Sequence, residues 1–377
     1  MKKEIFTNVE SALSSHYEEA SGHLKDRLTT LCGAITGLLL RKKVDMESIG
    51  HGLLQDIKPD SRRVHCKRFF ENKHVDYMTF YYPFISTILQ QLFANNKSEK
   101  QLLLTIDGTA TGSSHATLAI SFLYESTAIP LYWITREGPK GHFLEEQHIS
   151  LIETCAIILK SILPNDWSVT LLGDGEFDGT DFQLLCRKKL HWDYVLRTNC
   201  NTLLFEGDDV FQPQQLDVCN GDYLFIEDVA FGKKQKVRTN FILWHQKELY
   251  EEAIPLVTTF NDPRIGSALY KTRYAIERLF KGVKSSGFNV DKTQLTKAES
   301  IDRLLICVFL AYILMINFAK VNNESPIKSR VVRIRKEKVL SPIVLALRIL
   351  MYCIENSINF ILSFQMSMNY VEFNNTE

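Results

Sequence analysis

From Leu102 onward the chain alternates β-like and helical runs in an order that few folds can satisfy. LLLTID (102–107), ATLAISFLY (116–124) and AIPLYWITR (128–136) are apolar runs separated by polar turns, which reads as three strands. Phe143 to Leu163 then carries apolar residues at helical spacing, and Ser168 to Leu172 is another apolar strand. A helix at about 179–190 and a strand at Tyr194–Arg197 follow. Three strands, a helix, a strand, a helix and a strand put a mixed sheet with packed helices at the centre of an α/β fold. Asp107 closes the first run, and Asp174 follows the fourth in the segment Gly173-Asp174-Gly175-Glu176-Phe177.

A second constraint comes later, in YKTRYAIERLFKGVK (270–284). At about 100° per residue, Tyr270, Arg273, Glu277 and Lys284 fall within an arc of about 60° on a helix. That stripe carries a phenol, a guanidinium, a carboxylate and an ammonium. Ile265, Leu269, Ile276, Leu279, Phe280 and Val283 make an adjoining core face, so the stripe is expected at the border between core and water. Just over a hundred residues separate Asp174 from Glu277, and much of the excess reads as β: 202–205, 223–231 and 237–245, the last two joined by a turn at 232–235. Residues 253–260 read as the strand leading into the helix.

The spacing Y-x2-R-x3-E-x6-K, with DGT at 107–109 and DGEF at 174–177, resembles the insertion-sequence-four type of bacterial DDE transposases. The resemblance covers about residues 30–320. It implies an RNase H-like mixed-sheet core interrupted by a β-rich insertion, with helical regions at both ends. It further implies that Asp107, Asp174 and Glu277 are catalytic and hold two Mg2+ ions, with Mn2+ able to substitute. Hard oxygen ligands suit those cations, and phosphodiester cleavage by two metals needs carboxylates converging on them. Tyr270, Arg273 and Lys284 are implied to grip DNA phosphates, and Trp244 in the insertion to stack on a flipped base. Glu176, Asp178 and Asp181 compete with Asp174 for the second acidic role. Many members of the family carry a basic residue where this chain has Gly175, which puts one phosphate contact in doubt.

The expected organisation is an N-terminal helical DNA-binding domain (1–95), a first part of the core (96–198), the insertion (199–253), a second part carrying Glu277 (254–320) and a C-terminal basic and helical region (321–377). In the first of these, helices are read at 9–17, 24–40, 46–54 and 77–93, with Pro59 as a break. Arg62, Arg63, Lys67 and Arg68 lie beside Phe69 and Phe70 and are read as DNA-end contacts, aided by Arg41, Lys42 and Lys43. Net charge is zero, 44 basic against 44 acidic residues, so any nucleic-acid surface has to be local. Leu304 to Ala319 is strongly apolar but short for a membrane span and contains Asn317; it reads as a buried helix opened by a cap at Thr296–Glu299. The basic segment 328–338 reads as a DNA-backbone contact, and a last helix at about 341–364 as packing on the core or on a second subunit. No cysteine pair has C-x-x-C spacing, and the N-terminus lacks the apolar run of a signal peptide, which suits reduced thiols in a bacterial cytoplasmic, nucleoid-associated protein.

The function implied is that of a transposase cutting its element's ends and joining 3′-hydroxyls to target DNA. Its partners would be double-stranded DNA, as terminal inverted repeats and target, and a second copy of the chain in a paired-end complex. A membrane is not expected among them. The alternatives are a metal-dependent nuclease on the same core and a DNA-binding derivative without catalysis.

Overall fold

Residues 1–96, 99–141, 143–234, 237–332 and 340–366 are described by a computed structural model. Among them ten strands form one mixed sheet: β1 (Gln101–Thr111), β2 (His115–Tyr124), β3 (Thr127–Glu137), β4 (Ser168–Gly173), β5 (Asp193–Arg197), β6 (Leu204–Glu206), β7 (Asp209–Phe211), β8 (Tyr223–Phe231), β9 (Val237–Trp244) and β10 (Ile254–Thr258). Their spatial order is β3-β2-β1-β4-β5-β10-β9-β8-β6-β7. β1, β2 and β3 form an antiparallel meander, β4 lies parallel to β1, and β5 lies parallel to β4. This is the RNase H-like arrangement. Every residue of β2 is buried, as expected of a strand with neighbours on both edges and protein on both faces.

The strands between Asp174 and Glu277 are added to the same sheet rather than building another. β10 pairs antiparallel with β5 on one edge and with β9 on the other, and β8 continues from β9. β7, which the sequence reading missed, has only three residues and closes a tight turn onto β6.

Six helices precede the sheet: α1 (Lys2–Ser14), α2 (Gly22–Arg41), α3 (Met46–Gly50), α4 (Pro59–Glu71), α5 (Tyr77–Phe80) and α6 (Tyr82–Asn95). Pro59 opens α4 instead of breaking a helix, because the first turn needs no amide donor from it. The expected helix at 77–93 is divided at Tyr81, just ahead of Pro83. α2 meets the chain after α3 almost backbone to backbone. A Cβ on Gly52 would lie 2.0 Å from the Gly33 carbonyl oxygen, and one on Gly37 would lie 2.2 Å from that of Ile49.

The remaining helices are α7 (Glu145–Lys160), α8 (Thr180–Leu184, extended by a wider π turn over Leu185–Leu190), α9 (Pro263–Thr272), α10 (Tyr274–Val283), α11 (Ala298–Val321), α12 (Pro326–Val331) and α13 (Pro342–Glu355). By length and composition α11 could cross a membrane, yet 94% of its apolar window is buried inside this fold. It packs against β3, α2, α4, α10 and α13, so it is apolar all round because protein surrounds it. Its N-cap is Lys297 without a side-chain cap, so the expected cap at Thr296 is not formed. α13 ends nine residues earlier than expected, at Glu355. The extended chain beyond it is held by the Asn317 amide, which donates to the carbonyls of Ser363 and Gln365 at 2.8 Å each. α13 buries its apolar side on α11, which settles the choice left open for the last helix in favour of the core. All eight cysteines are free thiols, six of them buried.

Two outcomes test this packing. Gly52→Ala should cost about 2 kcal/mol or more, since overpacking against backbone leaves no side chain to move aside; urea denaturation checks it. Asp302 on α11 is half-buried, and the loss of solvation raises its carboxyl from the ordinary value of 3.8 to about 7 despite a bond to Thr135. The folded state therefore holds a proton there that the unfolded chain has released. Stability should fall as pH rises from about 4 to about 7 and level off above that, and Asp302→Asn should flatten this part of the pH profile.

Candidate active site

β1 runs past the end of its neighbour. Its pairing with β4 is parallel, ending with Thr105 opposite Leu172, while its pairing with β2 continues through Asp107, opposite Ala119, to Thr111. Asp107 thus sits in mid-strand rather than at a strand end, with β2 on one side and the space that β4 has vacated on the other. The parallel register carries Asp107 level with Asp174, the first residue after β4. Asp174 is held in a turn: its Oδ1 accepts the Glu176 amide at 3.0 Å, and its carbonyl accepts that of Phe177 at 3.1 Å.

The helix expected to carry the four-residue stripe is broken within it. α9 is capped by Asp262, whose Oδ1 accepts the Arg264 amide at 2.9 Å, and it ends at Thr272. α10 begins at Tyr274. Arg273 lies at the junction, where Arg273 N–H to Tyr270 O and Ile276 N–H to Arg273 O are three-residue bonds of 3.1 Å that tighten the turn. Tyr270 therefore sits in the last turn of α9, Glu277 in the first turn of α10, and Lys284 follows the end of α10. The core face is also revised. Ile276, Leu279, Phe280 and Val283 are buried, but Ile265 is 46% exposed.

The bend gathers the stripe toward the sheet. α10 packs on β1 and β3. Arg273 bonds Glu277 through one guanidinium nitrogen, and the other lies 3.9 Å from Asp107 Oδ2, buried without a hydrogen-bond partner. Its guanidinium is also 5.5 Å from the Tyr270 ring centre. Burial works against the Arg273 charge, but Tyr270, Glu277 and Asp107 outweigh it and raise its pKa. Burial pushes the Tyr270 phenol up to about 12. The Lys284 ammonium is lowered by burial, with Asp291 and Asp107 opposing and Lys140 adding to the effect.

Asp107 is 3% exposed. Burial above all, with Lys140 and Arg273 opposing it and Asp174 adding to it, raises its carboxyl to about 6. Lys140 was not singled out from the sequence, where G-P-K-G looks like any turn after a strand; its Nζ lies 3.2 Å from Asp107 Oδ1. Beside this cluster, buried His148 on α7 faces Glu176 at 3.8 Å and draws its carboxyl below the usual range. Asp178 bonds the Thr198 hydroxyl at 2.6 Å, a structural role.

Among the described residues no three His, Cys, Asp or Glu side chains converge closely enough to cage a metal as they stand. Glu277 is drawn aside by Arg273, and Lys140 supplies charge at Asp107. The donor chemistry nonetheless fits a hard divalent cation: all three groups are carboxylates, and the register brings Asp107 level with Asp174 where β4 ends.

Other expected contacts lie apart from this cluster. Trp244 is 4% exposed and packs with Leu172, Ile254 and Tyr270, while Lys271 Nζ lies 5.0 Å over its ring. It is a core tryptophan without an open face for a base. On α4, Arg63, Lys67 and Arg68 are exposed, and Arg62 is partly covered, donating to the Gln55 carbonyl at 3.1 Å. Of the basic segment 328–338, Lys328 and Arg330 lie in α12; residues 333–338, like 367–377, fall outside the described residues.

An RNase H-like sheet with an acidic pair where its first and fourth strands part company, faced by a cationic and acidic helix, defines the class. Residues 149–314 match the family model described as the transposase DDE domain. That span includes Asp174 and the whole Tyr270–Lys284 stretch and begins after Asp107. The match covers less than half of this chain and marks a similarity to transposases with a DDE domain. No curated protein matches the chain. Among solved structures, the Marinitoga piezophila Argonaute with 5′-OH guide RNA and target DNA is 13% identical over 55% of this chain and 28% of its own, with a TM-score of 0.24. The same Argonaute with guide RNA alone is 12% identical over 80% and 53%, with a TM-score of 0.27. This chain thus spans about a quarter to a half of those proteins, and TM-scores this low carry no argument.

The geometry makes one asymmetry measurable. The Arg273 side chain is 12% exposed and that of Glu277 is 39%. Removing the buried member should cost more, so Arg273→Ala is expected to lose about 3 kcal/mol and Glu277→Gln under about 1 kcal/mol in urea denaturation. Equal losses would contradict the placement of Arg273 as the centre of the cluster.

Proposed function

We propose that this chain is the transposase of an insertion sequence of the four type, cutting the ends of its element and joining the freed 3′-hydroxyls to target DNA. The observation that carries the reading is the register that brings Asp107 of β1 level with Asp174, the residue after the parallel strand β4, with Glu277 tied to the same cluster through Arg273. In this reading the three carboxylates hold Mg2+, or Mn2+ in its place. When bound, such cations activate the attacking oxygen and steady the leaving one.

The chain's own residues position the substrate. Arg273 has one guanidinium nitrogen without a hydrogen-bond partner, which suits a contact with a phosphate oxygen, and Lys284 supplies a point charge. Tyr270, too firmly protonated to act as a base, orients Arg273 by ring contact. Water and then the 3′-hydroxyl attack in turn, so no covalent protein intermediate is needed. The helices up to Asn95, with Arg62, Arg63, Lys67 and Arg68, recognise the terminal inverted repeats. Two copies pair the two ends before cutting. Because α13 is part of the core, pairing is assigned to surfaces other than its apolar side.

The test uses a duplex taken from the DNA flanking the gene. Asp107→Asn, Asp174→Asn and Glu277→Gln should each abolish cleavage and strand joining while duplex binding persists. Full activity in any of the three would remove that residue from the site. Cleavage without joining by the unaltered protein would favour the nuclease alternative.

A further inference from the structure

Lys140 reaches the carboxylates from the connection between β3 and α7. Gly138 and Gly141 flank it with φ of +121° and +84°, backbone conformations that other residues rarely adopt. The glycines thereby turn a surface loop back over the sheet and deliver the Lys140 ammonium to Asp107. The two partners are unequal. The Lys140 side chain is 48% exposed, that of Asp107 4%. One is a flexible cation entering from water; the other is fixed in mid-strand. The Lys140 charge also acts on Glu176 and on Lys284, which places it among the other charged groups of the cluster.

The Lys140 ammonium lies 3.2 Å from Asp107 Oδ1, on the carboxylate that a divalent cation would also use. Two positive charges on one carboxylate repel, so each weakens the hold of the other. Asp107 cannot move without breaking the sheet, whereas Lys140 has a long stem, an open side toward water and glycines on either side of its loop. A phosphate laid along the cluster is the natural second partner for a lysine. We propose that Lys140 is a displaceable counter-ion, holding Asp107 in the free protein and passing to a DNA phosphate when a strand is seated, so that DNA admits the divalent cation. The DNA half of this inference rests on the transposase reading; the cation half does not. Because coupling is reciprocal, DNA should tighten cation binding and the cation should tighten DNA binding by the same factor.

The test compares the full-length protein with Lys140→Met and Lys140→Arg, both confirmed as folded by thermal melting. Free Mn2+ is followed by electron paramagnetic resonance without DNA. Binding of duplex DNA is followed by fluorescence anisotropy across a salt series. Lys140→Met should bind Mn2+ about threefold to tenfold more tightly, the range for removing a competing, partly screened unit charge. It should also flatten the log-log salt slope by roughly 0.9, one phosphate contact. Lys140→Arg keeps the charge and should stay near the parent in both. Unchanged or weaker Mn2+ binding by Lys140→Met would overturn the proposal and make Lys140 a plain structural ion pair. An unchanged salt slope would also overturn it. Failure of the unaltered protein to bind any duplex would instead count against the transposase reading, with the Mn2+ comparison still deciding whether Lys140 guards the carboxylate.

Discussion

A carboxylate buried in the middle of a β-strand is the constraint on which the site depends. Asp107 cannot solvate its charge, and moving an unpaired carboxylate out of water costs several kcal/mol even after relaxation. Positive charge must therefore come to it. Lys140 arrives from one side and Arg273 from the other, and the bend between α9 and α10 is what lets Arg273 reach both Asp107 and Glu277. The site is built by bringing cations to a fixed anion, which is also why its residues come from four separate stretches of sequence.

The fixed anion needs a stiff frame, and α11 provides the centre of it. A helix touching β3, α2, α4, α10 and α13 joins the N-terminal helices to the sheet and to the C-terminal helix. Its buried Lys320 is tied to Glu125 at 2.7 Å, beside the β2–β3 turn. The meander that holds Asp107 is thereby braced at its far end. The N-terminal helices share this brace rather than hanging from a linker, so the exposed cations of α4 keep a fixed relation to the sheet.

Strand order was legible because hydrophobic runs of five residues or more, punctuated by polar turns, leave little freedom. The place of Asp174 just after the fourth run was legible for the same reason, whereas Asp107 was read as closing its strand and β1 instead runs on to Thr111, because its pairing with β2 continues. The bend at Arg273 was not, since nothing in YKTRYAIERL breaks helical periodicity; packing of α10 on β1 and β3 decides it. Lys140 was invisible because its role depends on a loop folding back across the sheet, a contact between residues 33 apart in sequence that no local pattern encodes. Trp244 shows the converse error. An aromatic in a β-rich insertion looked like a stacking platform, but its alternation in β9 points it into the cluster around Leu172 and Tyr270. Helix ends were read least well, since Pro59, Thr296 and the end of α13 each turned on capping or tertiary contacts.

The segment between β5 and β10 departs from one strand and returns on its hydrogen-bonded neighbour, and its own strands extend the same sheet outward. It is a cassette. Its two ends are clamped together, so residues can be gained or lost at its outer margin, around β6 and β7, without changing where α9 begins. The distance in sequence between Asp174 and Glu277 is then free to drift while their distance in space is not. What this outer edge touches is therefore set independently of where the acidic cluster stands.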